Sequence, residues 1–241
     1  RNWTSVAKVL AKNTNVHCID QRNHGDSPHA DSHTLVDLRE DLKHWIDEQR
    51  FPRAPIVVGH SMGGMAAMSF ALQYRDALSG LVVVDIAPRD YPPHHSKEFE
   101  ALSLDVSECA TRSDVDEQMK AIVSDPMVRQ FLQMNLERAS DSGDGYVWKI
   151  NVPVLKNATH TKGLENAGGI ANEKSVYPGP ALFVRGGASD YIRDEDFEEI
   201  KRLFPDAAIR TVEGHGHWLH YSAMQDFLDI VTDFLDRDAL A

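Results

Sequence analysis

The 241-residue chain has few cysteines, no long apolar run and few basic residues. Cys18 and Cys109 are too few for a disulfide framework and form no Cys-x-x-Cys pair, so we expect both to pack in the interior. No apolar stretch approaches the ~20 residues that a membrane span needs. The 25 Lys and Arg residues against 37 Asp and Glu give a net charge of −12. This charge argues against binding to nucleic acids or anionic membranes.

The remaining composition is that of a soluble globular protein, with 42% hydrophobic and 26% charged residues. Short apolar runs alternate with helical patterns, which predicts a doubly wound, mostly parallel sheet covered by helices on both faces. The predicted strands are 15–20, 56–58, 81–85, 181–187 and 208–212. Helical patterns alone fill the middle of the chain, so we expect a core in two parts, residues 1–90 and 169–241, with an inserted helical cap at 91–168.

One short stretch carries the strongest chemical signal. The sequence Gly59-His60-Ser61-Met62-Gly63 follows an apolar run and precedes a run of small residues. A Gly-x-Ser-x-Gly motif between a strand and a helix is the nucleophile elbow of an α/β-hydrolase, with the serine exposed at a tight turn. A Cβ at Gly59 or Gly63 is expected to clash there, and Gly64 is expected to let the helix lie close to the sheet. Ser61 is therefore the candidate nucleophile.

A serine nucleophile needs a base, and the base needs an orienting acid. His217 follows the last predicted strand, where a loop can return an imidazole to Ser61, and His215 and His220 are alternatives. Two acids are open. Asp190 follows the penultimate strand, the commonest acid position in this fold, and Asp85 ends the strand after the elbow helix.

Five ordered motifs together resemble one family. They are Asp20-x-Arg22-Asn23-His24-Gly25-x-Ser27-Pro28, Gly59-His60-Ser61-Met62-Gly63-Gly64, Val84-Asp85-Ile86-Ala87-Pro88, Asn151-Val152-Pro153-Val154-Leu155 and Gly216-His217-Trp218-x-His220. The chain is similar over nearly its full length to the bacterial YbfF-type esterases and their animal relatives, the abhydrolase domain-containing protein 11 group.

The resemblance implies roles for individual residues. It favours Asp85 over Asp190 as the triad acid, although this chain has an Asp at both positions. It implies that the Met62 amide is an oxyanion donor. It places a second donor, with the first strands of the fold, before Arg1, so we expect N-terminal strands to be missing from this chain. We also expect Trp218 and His60 to contact substrate, and Arg22, Asn23 and His24 to fix a loop by hydrogen bonds.

The sequence thus predicts a serine hydrolase of carboxylic esters or related acyl bonds, acting on small-molecule esters of short to medium acyl length. No metal or organic cofactor is expected. The alternatives are a hydrolase of thioesters, lactones or peptides, and a non-catalytic binding protein with the same fold. The expected compartment is the cytoplasm, or the mitochondrial matrix for a eukaryotic family member. The sequence leaves the oligomeric state open.

Overall fold

The computed structural model describes residues 2–92, 95–139, 145–158 and 175–236. The strands are β1 (Ile56–His60), β2 (Gly80–Val84), β3 (Leu136–Arg138), β4 (Tyr146–Trp148), β5 (Ala181–Gly186) and β6 (Ala207–Val212). The helices are α1 (Thr4–Leu10), α2 (Leu35–Gln49), α3 (Met62–Gln73), α4 (Ser96–Ala101), α5 (Arg112–Lys120), α6 (Pro126–Leu132), α7 (Val152–Leu155), α8 (Phe197–Leu203), α9 (Leu219–Ser222) and α10 (Met224–Phe234). None of these helices has the length and apolar character needed to cross a bilayer.

The described residues divide into two compact units. The sheet unit contains residues 8–16, 34–91 and 175–236, and the hairpin unit contains 2–7, 17–33, 92, 95–139 and 145–158. The predicted extents of core and cap stay predictions, and the boundary expected at 168/169 lies outside the described residues.

The sheet unit is built on four parallel strands in the order β1-β2-β5-β6. Every residue of β2 is buried, as expected for an interior strand covered on both faces. The strands run in register, pairing His60 with Val84 and Val84 with Val184. All four therefore end at the same edge of the sheet, where ligand sites lie in such folds. The prediction of a parallel α/β sheet is confirmed.

Helices α2, α3 and α8 bury their apolar side chains against this sheet. α2 starts with a capping box, in which the Thr34 hydroxyl accepts from the Asp37 amide and the Asp37 carboxylate accepts from the Thr34 amide. α3 is buried on nearly every side from Gly64 to Leu72, as its small and apolar sequence favours. The core of the unit includes Phe70 and Phe183, both without solvent exposure.

The hairpin unit has its own apolar core. Helices α4 to α7 and the antiparallel hairpin β3–β4 supply its residues, among them Val115, Met119 and Leu136. Helical spacing predicts α5 and α6, whereas the three-residue strands of the hairpin carry no recognisable pattern. The buried Arg129 donates to Asp116 Oδ1 at 2.9 Å and to the carbonyl of Val123 at 2.9 Å, so its charge is paired.

Two expectations for the segment 15–20 are wrong. It forms no strand, and all six residues are exposed, Ile19 by 42%. Cys18 is consequently exposed too, whereas Cys109 is buried as expected. A strand requires a neighbour for its backbone hydrogen bonds, and no described strand pairs with this segment.

Candidate active site

Ser61 occupies the turn between β1 and α3 in a conformation that serine rarely adopts, with φ 53° and ψ −120°. A Cβ on Gly59 would come within 2.1 Å of the Gly63 carbonyl oxygen, so the turn requires glycine at position 59. The clash expected at Gly63 is wrong, because a Cβ there meets nothing within 4 Å. The close approach in the turn is instead between the backbone of Gly63 and Gly59.

The elbow is fastened to the neighbouring strand. The Ser61 amide donates to the Val84 carbonyl at 3.1 Å, which holds the turn against the end of β2. A Cβ on Gly64 would lie 2.5 Å from Ile86 Cγ2, so this glycine does let α3 lie close to the sheet, as expected. Ser61 and the residue after Val84, Asp85, are thereby neighbours at the carboxyl edge of the sheet.

Asp85 follows β2 with φ 50° and is fully buried. Its carboxylate accepts three hydrogen bonds. Oδ1 accepts from the Gly186 amide at 2.9 Å, and Oδ2 accepts from Ser189 Oγ at 2.5 Å and from His217 Nδ1 at 2.9 Å. A buried carboxylate is stable only when its oxygens are paired in this way.

His217 lies between β6 and α9, with 17% of its side chain exposed. Because the Asp85 carboxylate can only accept, the proton of the neutral imidazole is assigned to Nδ1. The Nε2 lone pair is then available as a base. The Tyr191 ring stacks on the imidazole, with ring centroids 3.9 Å apart and planes 22° from parallel.

Two further histidines lie against His217. The Nε2 of His60 donates to the His217 carbonyl at 2.8 Å, and the His60 ring centroid is 4.5 Å from that of His217 and 4.4 Å from that of His220. Burial, with the two other imidazoles nearby, lowers the pKa of His60 well below its ordinary value. Burial also lowers the pKa of His220 to about 4. Both side chains are therefore neutral at pH 7.

The alternative acid, Asp190, and the alternative base, His215, have other partners. Asp190 is exposed, and its backbone carbonyl accepts from Arg89 Nη2 at 2.9 Å. The structure thus pairs His217 with Asp85 and not with Asp190. A hydrogen bond of 2.9 Å joins His215 Nδ1 to Ser222 Oγ. Among the described residues, no three His, Cys, Asp or Glu side chains are arranged as metal ligands.

The residues expected at the oxyanion and at the substrate border this group. Met62 directly follows Ser61 and is the first residue of α3, so its amide lies at the positive end of the helix dipole, which favours negative charge. The Trp218 ring lies 5.3 Å from that of His60 and 5.5 Å from that of His217, in an edge-on arrangement with the latter. Substrate contact by Trp218 and His60 stays a prediction.

Sequence reasoning missed the three groups that hold Asp85 and His217 from the end of β5 and the loop after it. They are the Gly186 amide, the Ser189 hydroxyl and the Tyr191 ring. The sequence pointed to this loop only through Asp190, the second candidate for the acid. The side chains on either side of that acid make the contacts instead, and no sequence pattern distinguishes them.

The chain is similar to a protein family, to individual relatives and to a solved structure. Residues 1–230 match the Alpha/beta hydrolase family. The mouse (Mus musculus) protein named sn-1-specific diacylglycerol lipase ABHD11 is 37% identical over 243 residues, which cover 97% of this chain and 76% of that protein. The Escherichia coli K12 esterase YbfF is 31% identical over 238 residues, covering 98% and 88%. A solved structure titled "Marine microorganism esterase" has a TM-score of 0.88 and 39% identity, covering 97% and 90%.

Proposed function

The chain belongs to the alpha/beta hydrolase family, and from this premise we propose that it hydrolyses carboxylic esters through an acyl-serine intermediate. The proposed triad is Ser61 as nucleophile, His217 as general base and Asp85 as the acid that orients the base. The names of relatives support the ester class, since the bacterial and mouse relatives are called esterase and lipase.

The observation that carries the proposal is the 2.9 Å hydrogen bond between His217 Nδ1 and Asp85 Oδ2. This bond selects the imidazole tautomer whose Nε2 can accept a proton, and the carboxylate stabilises the imidazolium formed when it does. The partner carboxylate is buried and has two other donors, so its position does not depend on the histidine. An ordinary surface Asp–His pair would have neither property.

Acylation begins when the Ser61 oxygen attacks the ester carbonyl and its proton passes to His217 Nε2. The Met62 amide, at the start of α3, is the proposed donor to the oxyanion of the tetrahedral intermediate. The imidazolium then returns the proton to the leaving alkoxide, so an alcohol departs and the acyl group stays on Ser61.

Deacylation repeats these steps with water. His217 Nε2 takes a proton from the water, the resulting hydroxide attacks the acyl carbonyl, and the imidazolium gives the proton back to Ser61. The products are one carboxylic acid and one alcohol for each ester and water consumed. No step requires a cofactor.

Esters of short to medium acyl length are the substrates that we propose to test first. The mouse relative is named for diacylglycerol, so diacylglycerol is a second substrate class for the same assay. Both classes present an acyl carbonyl with an alcohol leaving group, which is the chemistry that the triad serves.

Fluorophosphonate labelling tests the nucleophile directly. The wild-type chain should be modified at Ser61, located by mass spectrometry, and should hydrolyse p-nitrophenyl butyrate. Ser61→Ala should lose the label and about 10⁴-fold or more of the hydrolysis rate, since removing a triad member leaves only binding and oxyanion stabilisation.

Ser69→Ala is the matched control, because Ser69 lies in α3 and its side chain is fully buried. This variant should label and hydrolyse like the wild type. Full labelling and hydrolysis by Ser61→Ala would overturn the assignment of the nucleophile. A wild-type chain with neither label nor activity would contradict the proposed function as a whole.

A further inference from the structure

Tyr191 is placed to act on the proposed base. Its ring covers one face of the His217 imidazole at a centroid distance of 3.9 Å and an angle of 22°. We propose that Tyr191 is a positioning residue, whose aromatic face orients His217 and stabilises the imidazolium that forms as Ser61 attacks. This inference rests on the proposed function, in which His217 is the general base.

The backbone of the Tyr191 loop is held independently of its side chain. The Tyr191 carbonyl accepts from Tyr91 Oη at 2.6 Å, and Tyr91 Oη in turn accepts from the Ala87 amide at 2.8 Å. The Tyr191 amide donates to Ser189 Oγ at 3.3 Å. The loop should therefore keep its course when the Tyr191 side chain is replaced.

Tyr91 and Arg89 secure the same loop from the segment after β2. Arg89 Cζ lies 4.2 Å from the Tyr91 ring centroid, and the guanidinium donates to the Asp190 carbonyl and pairs with Asp196 at 3.1 Å. Burial raises the pKa of Tyr91, so it stays a neutral donor. Asp190, the sequence candidate for the acid, thus contributes a backbone carbonyl to the support of Tyr191.

The groups that surround the His217 imidazole differ in charge. Asp85 supplies the negative charge, at Nδ1. His60 from β1 and His220 from α9 are held neutral by burial and contribute no positive charge at pH 7. Tyr191 covers a face of the ring, and an aromatic face attracts a cation more than a neutral ring.

The stack therefore favours the charged form of His217 over the neutral one. The imidazolium is present in the transition state and absent in the resting base, so this difference accelerates the reaction instead of only tightening the fold. A purely structural role for Tyr191 would stabilise both forms equally.

Three variants separate these possibilities in the full chain. Tyr191→Phe keeps the aromatic face, Tyr191→Leu keeps bulk without it, and Tyr221→Leu removes a tyrosine that is 64% exposed on α9. The first readout is the pH profile of kcat/KM with p-nitrophenyl butyrate. The second is the titration of the His217 ring proton followed by NMR, which needs no turnover.

Tyr191→Leu should lower kcat/KM on the alkaline plateau about three- to tenfold and move the acid limb downward by about 0.5 to 1 pH unit, because the imidazolium loses its stacked partner. The NMR titration midpoint should fall by the same amount. Tyr191→Phe and Tyr221→Leu should both match the wild type in all three quantities.

An NMR midpoint in Tyr191→Leu within 0.1 unit of the wild type would overturn the proposal, even if kcat/KM falls, since packing alone would then explain the loss. A Tyr191→Phe variant as impaired as Tyr191→Leu would also overturn it, because the hydroxyl and not the ring face would matter. Loss of hydrolysis by the wild type would instead contradict the proposed function, and the NMR titration would still decide whether the stack favours the imidazolium.

Discussion

Asp85 in the sheet unit and Asn23 in the hairpin unit are alike in burial, in polarity and in backbone conformation. Each is fully buried and polar, and each has a positive φ, 50° and 66°. The Asn23 side chain accepts from the amide of Ala30 at 2.8 Å and from Asn151 Nδ2 at 2.9 Å, and it donates to the Ser32 carbonyl at 3.1 Å. Both side chains are therefore the centres of hydrogen-bond networks.

The two networks differ in what they connect. The Asn23 side chain is an uncharged amide, and its partners, which include His33 Nδ1 at 3.4 Å, tie the loop of residues 21–33 to the segment at Asn151. The network of Asp85 places a carboxylate against His217, the proposed general base. Burial, a positive φ and several hydrogen bonds are thus common to a structural residue and a candidate catalytic residue, and the carboxylate beside the proposed base distinguishes Asp85.

Replacing Asp85 should have the largest effect. Asp85→Asn should lower kcat/KM about 10³- to 10⁴-fold, because an amide neither selects the required imidazole tautomer nor balances the imidazolium charge. Steady-state kinetics with p-nitrophenyl butyrate measure this. Asp190→Asn is the control and should change kcat/KM by less than about twofold. The reverse pattern would contradict the choice of Asp85.

Replacing Asn23 should affect stability instead of turnover. Asn23→Ala should lower the free energy of unfolding by about 2–4 kcal/mol, because it leaves buried polar groups unpaired and puts alanine at a positive φ. Urea denaturation measures this loss. The kcat/KM of the folded variant should stay within about threefold of the wild type.

Two further variants show how much of the lost free energy of unfolding comes from the side-chain bonds and how much from the backbone conformation. Asn23→Gly removes the side-chain bonds but relieves the backbone, so it should cost less than Asn23→Ala. Asn13→Ala, at an exposed asparagine, should change the free energy of unfolding by no more than about 0.5 kcal/mol. Loss of turnover in a folded Asn23→Ala variant would break the contrast with Asp85.

Acid should destabilise the fold through the buried His220 in the sheet unit and the half-buried His24 in the hairpin unit. Burial lowers the pKa of His220 to about 4, so the unfolded chain takes up the proton first as the pH falls. The contribution of this histidine is fully present above about pH 6.5 and is lost between there and about pH 4. Its maximum slope is about 1.4 kcal/mol per pH unit.

Unfolding free energies measured across this pH range check the prediction. His220→Gln should flatten the pH dependence, and His44→Gln, at a side chain that is 76% exposed, should leave it unchanged. Burial also lowers the pKa of His24, beside Asn23, so His24→Gln should flatten the curve in the same direction but less. An unaltered slope in His220→Gln would show that this imidazole is not buried as a neutral group.

Much of the sheet unit could be read from the sequence, because its signals are local. The continuous apolar runs of β2 and β5 predict interior strands, and the predicted parallel fold is confirmed. Segment 15–20, where Val16, Cys18 and Ile19 also predicted a strand, forms none, since pairing depends on a neighbour distant in the chain.

In the candidate site, too, some residues could be predicted from local sequence and one could not. The elbow motif pointed to Ser61, and position after the last strand pointed to His217. The acid could not be selected from position alone, because Asp85 and Asp190 both follow strands that end at the same edge of the sheet. Only the direction of each side chain separates them, and that depends on packing between elements.

The sequence by itself determined the strands of the parallel sheet, the elbow and the small set of candidate residues for the chemistry, because strand, helix and turn preferences are properties of short stretches. Only the tertiary structure decided three contacts. His217 Nδ1 and Ser189 Oγ both donate hydrogen bonds to the Asp85 carboxylate, and the Tyr191 ring stacks on the His217 imidazole. These contacts join residues 26 to 132 positions apart, and only the folded sheet brings the ends of its strands and the loops after them together.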